Sequence, residues 1–321
     1  MPPRSNQKAT EERLHEIRNA AAASAPANHS QIQGHDSYYG LPALKPPVWT
    51  WEIPLYFFIG GIAGVSSCIG FIAHIFHADP ALIRLAFWIG LGGAAICPVL
   101  LIADLGRPSR FLNMLRVFKL RSPMSMGAWI LVAFSGGVSL AVLGNELVLV
   151  RCQWLGEASA ALLGLLLAGY TGVLLGATAI PVWFTHRRFL PAHFLTSGLG
   201  GSSAILELCG FMIPATQTLG FVSAGLETIF EILFAVRKSS VDAPLHRGPS
   251  GIAFRIGGLL EGPIALGVRI IWGSASGRTV SAICFLAGSL LSRYAWIWAG
   301  RVSAKEPDVQ FAHQRTGGAK P

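Results

Sequence analysis

Apolar and polar positions do not alternate along this chain; they segregate into long blocks. Eight apolar runs, at 54–76, 82–104, 124–144, 158–183, 190–213, 217–236, 252–272 and 279–300, are separated by polar connections. A helix needs about 20 apolar residues to cross the hydrocarbon core of a bilayer, so the pattern predicts eight transmembrane helices. The period-two alternation of a membrane β-barrel is absent. Glycine is frequent inside the runs, as at Gly60–Gly61 and Gly200–Gly201. Small residues let membrane helices approach closely, which favours a packed bundle.

The two halves resemble each other. Span 1 contains Phe58-Ile-Gly-Gly-Ile-Ala-Gly-Val-Ser-Ser67, and span 5 contains Phe194-Leu-Thr-Ser-Gly-Leu-Gly-Gly-Ser-Ser203. Both enter the membrane from the same side, because four spans separate them. The expected fold is therefore an all-α membrane protein of two four-helix bundles, about 54–183 and 190–300, related by an axis along the membrane normal. Chance likeness of two Gly/Ser-rich helices is the competing explanation. Residues 1–48 read as a polar arm with a short helix near 10–23, residues 49–304 as the membrane domain and 305–321 as a polar tail. The arm lacks the apolar core of a signal peptide, so the first span is expected to direct insertion. Span 3 has a defined start: Ser122 suits an N-cap and Pro123 the first helical position.

Composition agrees. The chain is 52% hydrophobic and 13% charged, about half the charge fraction of a soluble domain. The net charge of +9 is informative through its placement, not as a nucleic-acid signal. An even number of spans puts both termini on one side, together with the 2–3, 4–5 and 6–7 loops. Most of the 25 Lys and Arg lie there, whereas the opposite loops hold only Arg84, Arg151 and Arg278. In a bacterial inner membrane, the expected location, the positive-inside rule then places the termini in the cytoplasm.

The five cysteines are widely separated, with no CxxC pair. Iron–sulfur and structural zinc sites draw on clustered cysteines, so these read as small packing residues. A bis-His haem is not expected. His74 and His77 lie at the far end of span 1, whereas His186 and His193 lie on the terminus side. No phosphate-binding loop or dinucleotide fingerprint is present.

Topology alone gathers Glu52, Asp104, Arg107 and His193 at the terminus-side surface. Glu52 and Tyr56 are four residues apart and share a helix face. Tyr170 lies deeper, about 20 Å before Trp183 along span 4. A quinone needs an apolar slot, polar groups at its carbonyls and residues that exchange protons, and an acid, a Tyr or a His can serve. The structural alternatives remain open: Asp104 and Arg107 as a capped helix end, Glu52 as an interfacial charge, Tyr170 as a bundle hydrogen bond. Trp49 and Trp51 read as interface-belt anchors. A second set, Glu207, Glu227, Glu231, Glu261, Arg269 and Arg293, lies at membrane depth in the C-terminal half. Charges there are costly and face a bundle interior or cavity, so they are candidates either for a proton relay or for interhelical Glu–Arg pairing. Glu227 and Glu231 share a face of span 6, where two carboxylates resist joint ionisation.

Three stretches carry a family resemblance: Trp49 to Gly61; Asp104-Leu-Gly-Arg-Pro108 continuing to Trp129; and Ser292-Arg-Tyr-Ala-Trp296 with Ala299-Gly-Arg-Val-Ser-Ala304. Over residues 37–311 the chain resembles the NrfD/PsrC family of polysulfide-reductase-type membrane subunits. The resemblance implies eight helices and no bound metal, with an exchangeable quinone or menaquinone in the first bundle. It also implies a ferredoxin-like iron–sulfur partner that connects to a catalytic subunit, often a molybdopterin enzyme. Family quinone positions fall near Glu52 and Tyr56, and the family's span-4 Tyr matches Tyr170. Some relatives carry Asn and His where this chain has Glu52 and Tyr56. In many relatives the partner face is periplasmic, whereas the charge placement here makes it cytoplasmic. The expected function is electron exchange between quinone and the iron–sulfur partner, with proton movement as a further expectation. The partner is expected on the 105–121 loop, whose Arg107, Arg110, Arg116, Lys119 and Arg121 would steer an acidic surface. A secondary transporter with a mid-membrane carboxylate site, or a passive anchor, are the competing readings.

Overall fold

In a membrane, helices close their own backbone hydrogen bonds, and the long apolar runs of this chain do so throughout. The computed structural model describes residues 44–45, 47–105, 115–116, 118–236 and 239–305, with no strand among them. The arm helix expected near 10–23, Arg107, Arg110 and the tail after Lys305 lie outside the described residues. The long helices are α1 (Glu52–Ile75), α2 (Pro80–Leu105), α3 (Pro123–Glu146), α4 (Val150–Gly176), α5 (Leu190–Leu208), α6 (Pro214–Val236), α7 (Gly248–Ile271) and α8 (Ala275–Lys305). Helix α3 starts as its sequence predicts. Ser122 accepts a hydrogen bond from the Ser125 amide at 3.4 Å, and Pro123 occupies the first turn.

Seven of these helices, all but α5, are long and apolar enough to cross a membrane. Eight such spans were expected, and the difference has a physical cause. Helix α5 is only 19 residues long and rich in Gly and Ser, with His193 and Glu207 buried. It packs against α1, α4, α6 and α8, so protein rather than lipid surrounds it and apolarity is not required of its surface. The fourth apolar run also divides: α4 ends at Gly176, and a separate short helix, Pro181–Thr185, carries the buried Trp183. The outer surface is different in character, exposing Ile72, Val99, Leu162, Ile232, Ile271 and other large apolar side chains.

Helix neighbours follow a regular order. In the first half α1 meets α2, α2 meets α3, α3 meets α4 and α4 returns to α1; in the second, α5 meets α6 and α8, and α7 packs on both α6 and α8. Helices α1 and α4 cross backbone to backbone at Gly64 and Gly164. A Cβ on Gly64 would stand 2.2 Å from the Gly164 carbonyl oxygen, and one on Gly164 would stand 2.5 Å from that of Gly64. Side-chain hydroxyl and thiol donors then stitch helices to each other. Ser202 donates to the Ile62 carbonyl at 2.9 Å, Cys68 to that of Ala161 at 2.9 Å and Ser281 to that of Ala265 at 2.8 Å.

This crossing yields a direct expectation. Gly164→Ala has no room, because its neighbour is backbone, and should lower the thermal midpoint of the purified protein. Gly169→Ala, on the same helix with nothing within 4 Å of its would-be Cβ, should be neutral or gain up to about 1 kcal/mol of helix propensity. Equal midpoints for the two variants would show that the α1–α4 crossing does not limit stability.

Candidate functional site

Where α1 begins, α2 ends and α3 begins, a narrow cleft opens. It holds about 50 Å³ and is lined by Trp49, Ile53, Tyr56, Phe57, Leu101, Asp104, Leu105, Met124, Gly127, Ala128, Tyr170 and Leu174. Three of the six residues expected at a quinone headgroup, Tyr56, Asp104 and Tyr170, therefore meet here. Tyr56 and Phe57 are buried, with ring centroids 5.6 Å apart. The Tyr170 hydroxyl donates to the Pro123 carbonyl at 2.5 Å, which ties α4 to the first turn of α3. Gly127 makes this possible, since a Cβ there would stand 2.0 Å from the Tyr170 ring.

Asp104 is half-buried and held from one side. Its Oδ1 accepts the Thr50 amide at 3.2 Å, with the Thr50 hydroxyl 3.4 Å away. The same hydroxyl donates to Glu52, so Thr50 links the two acids although Glu52 itself does not line the cleft. Arg301 of α8 lies close enough for its charge to act on Asp104, and Tyr294 donates to the Trp51 carbonyl at 2.9 Å. The sequence reading missed Thr50 and Arg301. Both lie in stretches that carry the resemblance, 49–61 and 299–304, but nothing local marks either as a neighbour of Asp104.

Trp49 differs from its expected role. It stacks on the buried Trp183, with centroids 5.4 Å apart and planes 17° from parallel, and stands edge-on to Phe57. Trp183 in turn donates to the Trp296 carbonyl at 2.8 Å and lies flat against Gly300. Trp49 is thus a wall of the cleft, anchored through Trp183 to α8, while Trp51 is exposed as an interfacial residue would be.

His193, also expected near the headgroup, does not line the cleft. It joins the second half. Its Nδ1 lies 2.7 Å from Glu227 Oε2 and its Nε2 3.2 Å from the Ser292 hydroxyl. Glu261 completes a buried group, with one ligand-type atom from each of His193, Glu227 and Glu261 lying within 4.8 Å of the others. Arg293 is within electrostatic reach of both carboxylates, donates to the Phe194 carbonyl at 3.1 Å and stacks on the Phe194 ring at 3.8 Å. Glu231, one turn beyond Glu227, lies over Gly258 of α7 instead of reaching this group.

The remaining two charges of the second set pair with a residue assigned by its sequence to a loop. Glu207 accepts from Arg269 at 2.6 and 3.1 Å and from Arg278 at 2.7 and 3.1 Å, using both oxygens. Arg278 also donates to the Met212 and Ile213 carbonyls at 2.8 and 3.2 Å. Because α8 starts at Ala275, Arg278 belongs to its first turn and is buried. This clasp fastens α5, α7 and α8 at the far end of the molecule. Removing the carboxylate with Glu207→Ala would leave two buried guanidinium groups unpaired, a loss of about 3–5 kcal/mol. Thermal unfolding of the detergent-solubilised protein should show it as a large drop, and an unchanged midpoint would deny the clasp a structural role.

The family model described as polysulfide reductase, NrfD_2, matches residues 36–305. No curated protein matches the chain.

Proposed function

The chain belongs to the NrfD family of polysulfide reductase membrane subunits, and from that premise we propose that it exchanges electrons between a membrane quinone and an iron–sulfur partner subunit, with proton movement coupled to the exchange. It is a multi-pass membrane protein and a subunit of an oxidoreductase complex. The observation that carries the finer reading is the cleft, where apolar and aromatic walls converge on Asp104, Tyr56 and Tyr170.

The residues present fit a quinone. Ile53, Phe57, Leu101, Leu105 and Leu174 offer an apolar lining, and Gly127 lets the Tyr170 ring reach the cleft wall. The space of about 50 Å³ is narrow, and a headgroup would need room from Met124, whose half-exposed, unbranched thioether adapts readily. When bound, a quinone supplies a two-electron, two-proton carrier. The chain's own groups hold and move the protons. Asp104 gives or takes one at its carboxylate, while Thr50 holds that carboxylate in place at Oδ1. Tyr170, pinned through its hydroxyl to Pro123, would form a fixed wall for the headgroup. The stacked Trp49 and Trp183 keep water from the inner wall.

Partner contact falls to the same face. Arg116, Lys119 and Arg121 are exposed next to the cleft's α3 edge and would steer an acidic iron–sulfur subunit, itself joined to a catalytic subunit of the molybdopterin type. Steering of this kind weakens with salt. In this reading α5 completes an eight-span arrangement of two four-helix bundles, in a bacterial inner membrane with the termini in the cytoplasm.

Two measurements test the proposal. Tagged protein isolated in mild detergent should bring down an iron–sulfur protein and a large oxidoreductase subunit; isolation as a stable lone protein would reject the complex. Within that complex, Asp104→Asn should cut quinone-linked turnover about 100-fold or more, the usual scale for removing an acid–base group. Tyr170→Phe should reduce it less, with assembly intact in both variants. Normal turnover in both would remove the cleft from the reaction.

A further inference from the structure

The six charged residues that the sequence places at membrane depth in the second half do not share one environment. Glu207 and Arg269 belong to the clasp, in which Arg278 completes a set with both carboxylate oxygens engaged. Glu227, Glu261 and Arg293 form the opposite kind of group. Glu261 reaches only the Ser197 hydroxyl among the described residues, and Glu227 Oε1 and the Nε and Nη1 of Arg293 have no hydrogen-bond partner among them. All three side chains are essentially closed to solvent, at 1%, 3% and 1% exposure. Buried polar atoms are almost always bonded to protein or to ordered water, so this group of acids and a guanidinium calls for a further hydrogen-bonding partner.

The kind of orphan decides the kind of occupant. A metal ion would satisfy carboxylate oxygens, and the His193, Glu227 and Glu261 atoms are close enough to attract one. It would leave the Arg293 donors unmet and add positive charge beside a guanidinium. Water both donates and accepts, and it answers the carboxylates and Arg293 together. The backbone supports a dedicated purpose. Leu260–Ile264 is a π-helical turn with Pro263 inside it, and it carries Glu261 into the cluster. Such turns are rare and occur frequently at functional sites. Around the turn, Gly262 lies against Thr228 of α6 and Gly288 of α8 against the Glu261 amide, so the three helices close tightly about this point.

We propose that His193, Glu227, Glu261 and Arg293 enclose ordered water and form the station through which the second half of the protein takes up and releases protons. The proposal rests on the reading that this subunit couples proton movement to quinone turnover. With His193 neutral, two carboxylates face one guanidinium, and a single proton balances the remaining negative charge. On uptake an O–H bond forms at a Glu261 or Glu227 oxygen as one breaks on a hydronium carried by the enclosed water, which is left as water; release reverses this, and no electron moves. The groups that face the station are His193 and Ser197 on α5, Glu227 on α6, Glu261 on α7, and Ser289, Ser292 and Arg293 on α8; Glu231, outside it and next to Arg255, acts on Glu227 through its charge.

The test uses the isolated complex in liposomes with a short-chain ubiquinone analogue, following quinone-linked turnover and proton uptake together. The variants are Glu261→Gln and the conservative Glu261→Asp. Glu261→Gln should keep turnover in the presence of an uncoupler and, without it, lose the proton uptake that exceeds the two protons each reduced quinone carries, and Glu261→Asp should restore part of that excess. That excess unchanged in Glu261→Gln would overturn the proposal. A high-resolution cryo-EM map of the wild-type complex gives an answer that needs no variant. Solvent density between the four side chains supports the station, whereas empty space or a stoichiometric transition metal by elemental analysis rejects it. Absence of quinone-linked turnover in the wild type would instead refute the proposed function, and the map would still decide the station.

Discussion

Lipid offers no hydrogen bonds, so every polar atom carried to membrane depth needs its partner inside the protein. Much of this structure follows from that constraint. Hydroxyl groups on α5 and α8 donate to backbone carbonyls or to each other across helix boundaries. Glu207 is acceptable at 0% exposure because two arginines from different helices reach it. The close crossing of α1 and α4 at Gly64 and Gly164 serves the same end, since it brings Cys68 within reach of the Ala161 carbonyl. Without apolar association to drive helices together in lipid, packing and such bonds supply the cohesion.

The constraint divides the molecule unevenly. The first half keeps its charges at the ends: Glu52 and Asp104 at one face, and at the other the Arg84–Glu146 pair at 2.7 Å and His74 with Glu157. Its middle is apolar and closely packed. The second half carries ionisable groups through its interior. Helix α5 stands between the two, packing on α1 and α4 on one side and on α6 and α8 on the other. It can present His193 and Glu207 inward because little of it meets lipid.

Most of the helices were legible from hydropathy, because a span is defined by length and apolarity and both are written locally. Observed ends fall within a few residues of the expected ones for α1, α2 and α3. Legibility failed where tertiary context replaced lipid. Helix α5 reads as a span only until its Gly, Ser, His and Glu content is weighed, and its shielding is a property of its neighbours. Asp104, Tyr56 and Tyr170, which line the cleft, stood out through topology, a shared helix face and the family resemblance. The partnership of Thr50 with Asp104 spans 54 residues and has no local signature. His193 was placed by topology at the correct face but not at the correct group, since depth along a helix does not say which neighbour a ring turns toward. The π-turn at Leu260–Ile264 is equally silent in sequence, because Pro263 alone would suggest only a kink.

The two charged groups of the second half show how one physical rule can yield opposite results. A fully paired set resists change: moving Arg278 would break bonds to Glu207 and to the Met212 and Ile213 carbonyls at once. The cluster around Glu261 has the same ingredients, acid and arginine from several helices, yet leaves oxygens and nitrogens unspent. Each unmet buried group costs about 1–3 kcal/mol when nothing fills the gap, a burden that a hydrophobic substitution could remove. A chain that needed only to anchor a partner would gain stability from that substitution. Retaining an open polar cluster beside a closed one on the same helices α5, α7 and α8 therefore argues that the first is kept for what it binds and the second for what it holds.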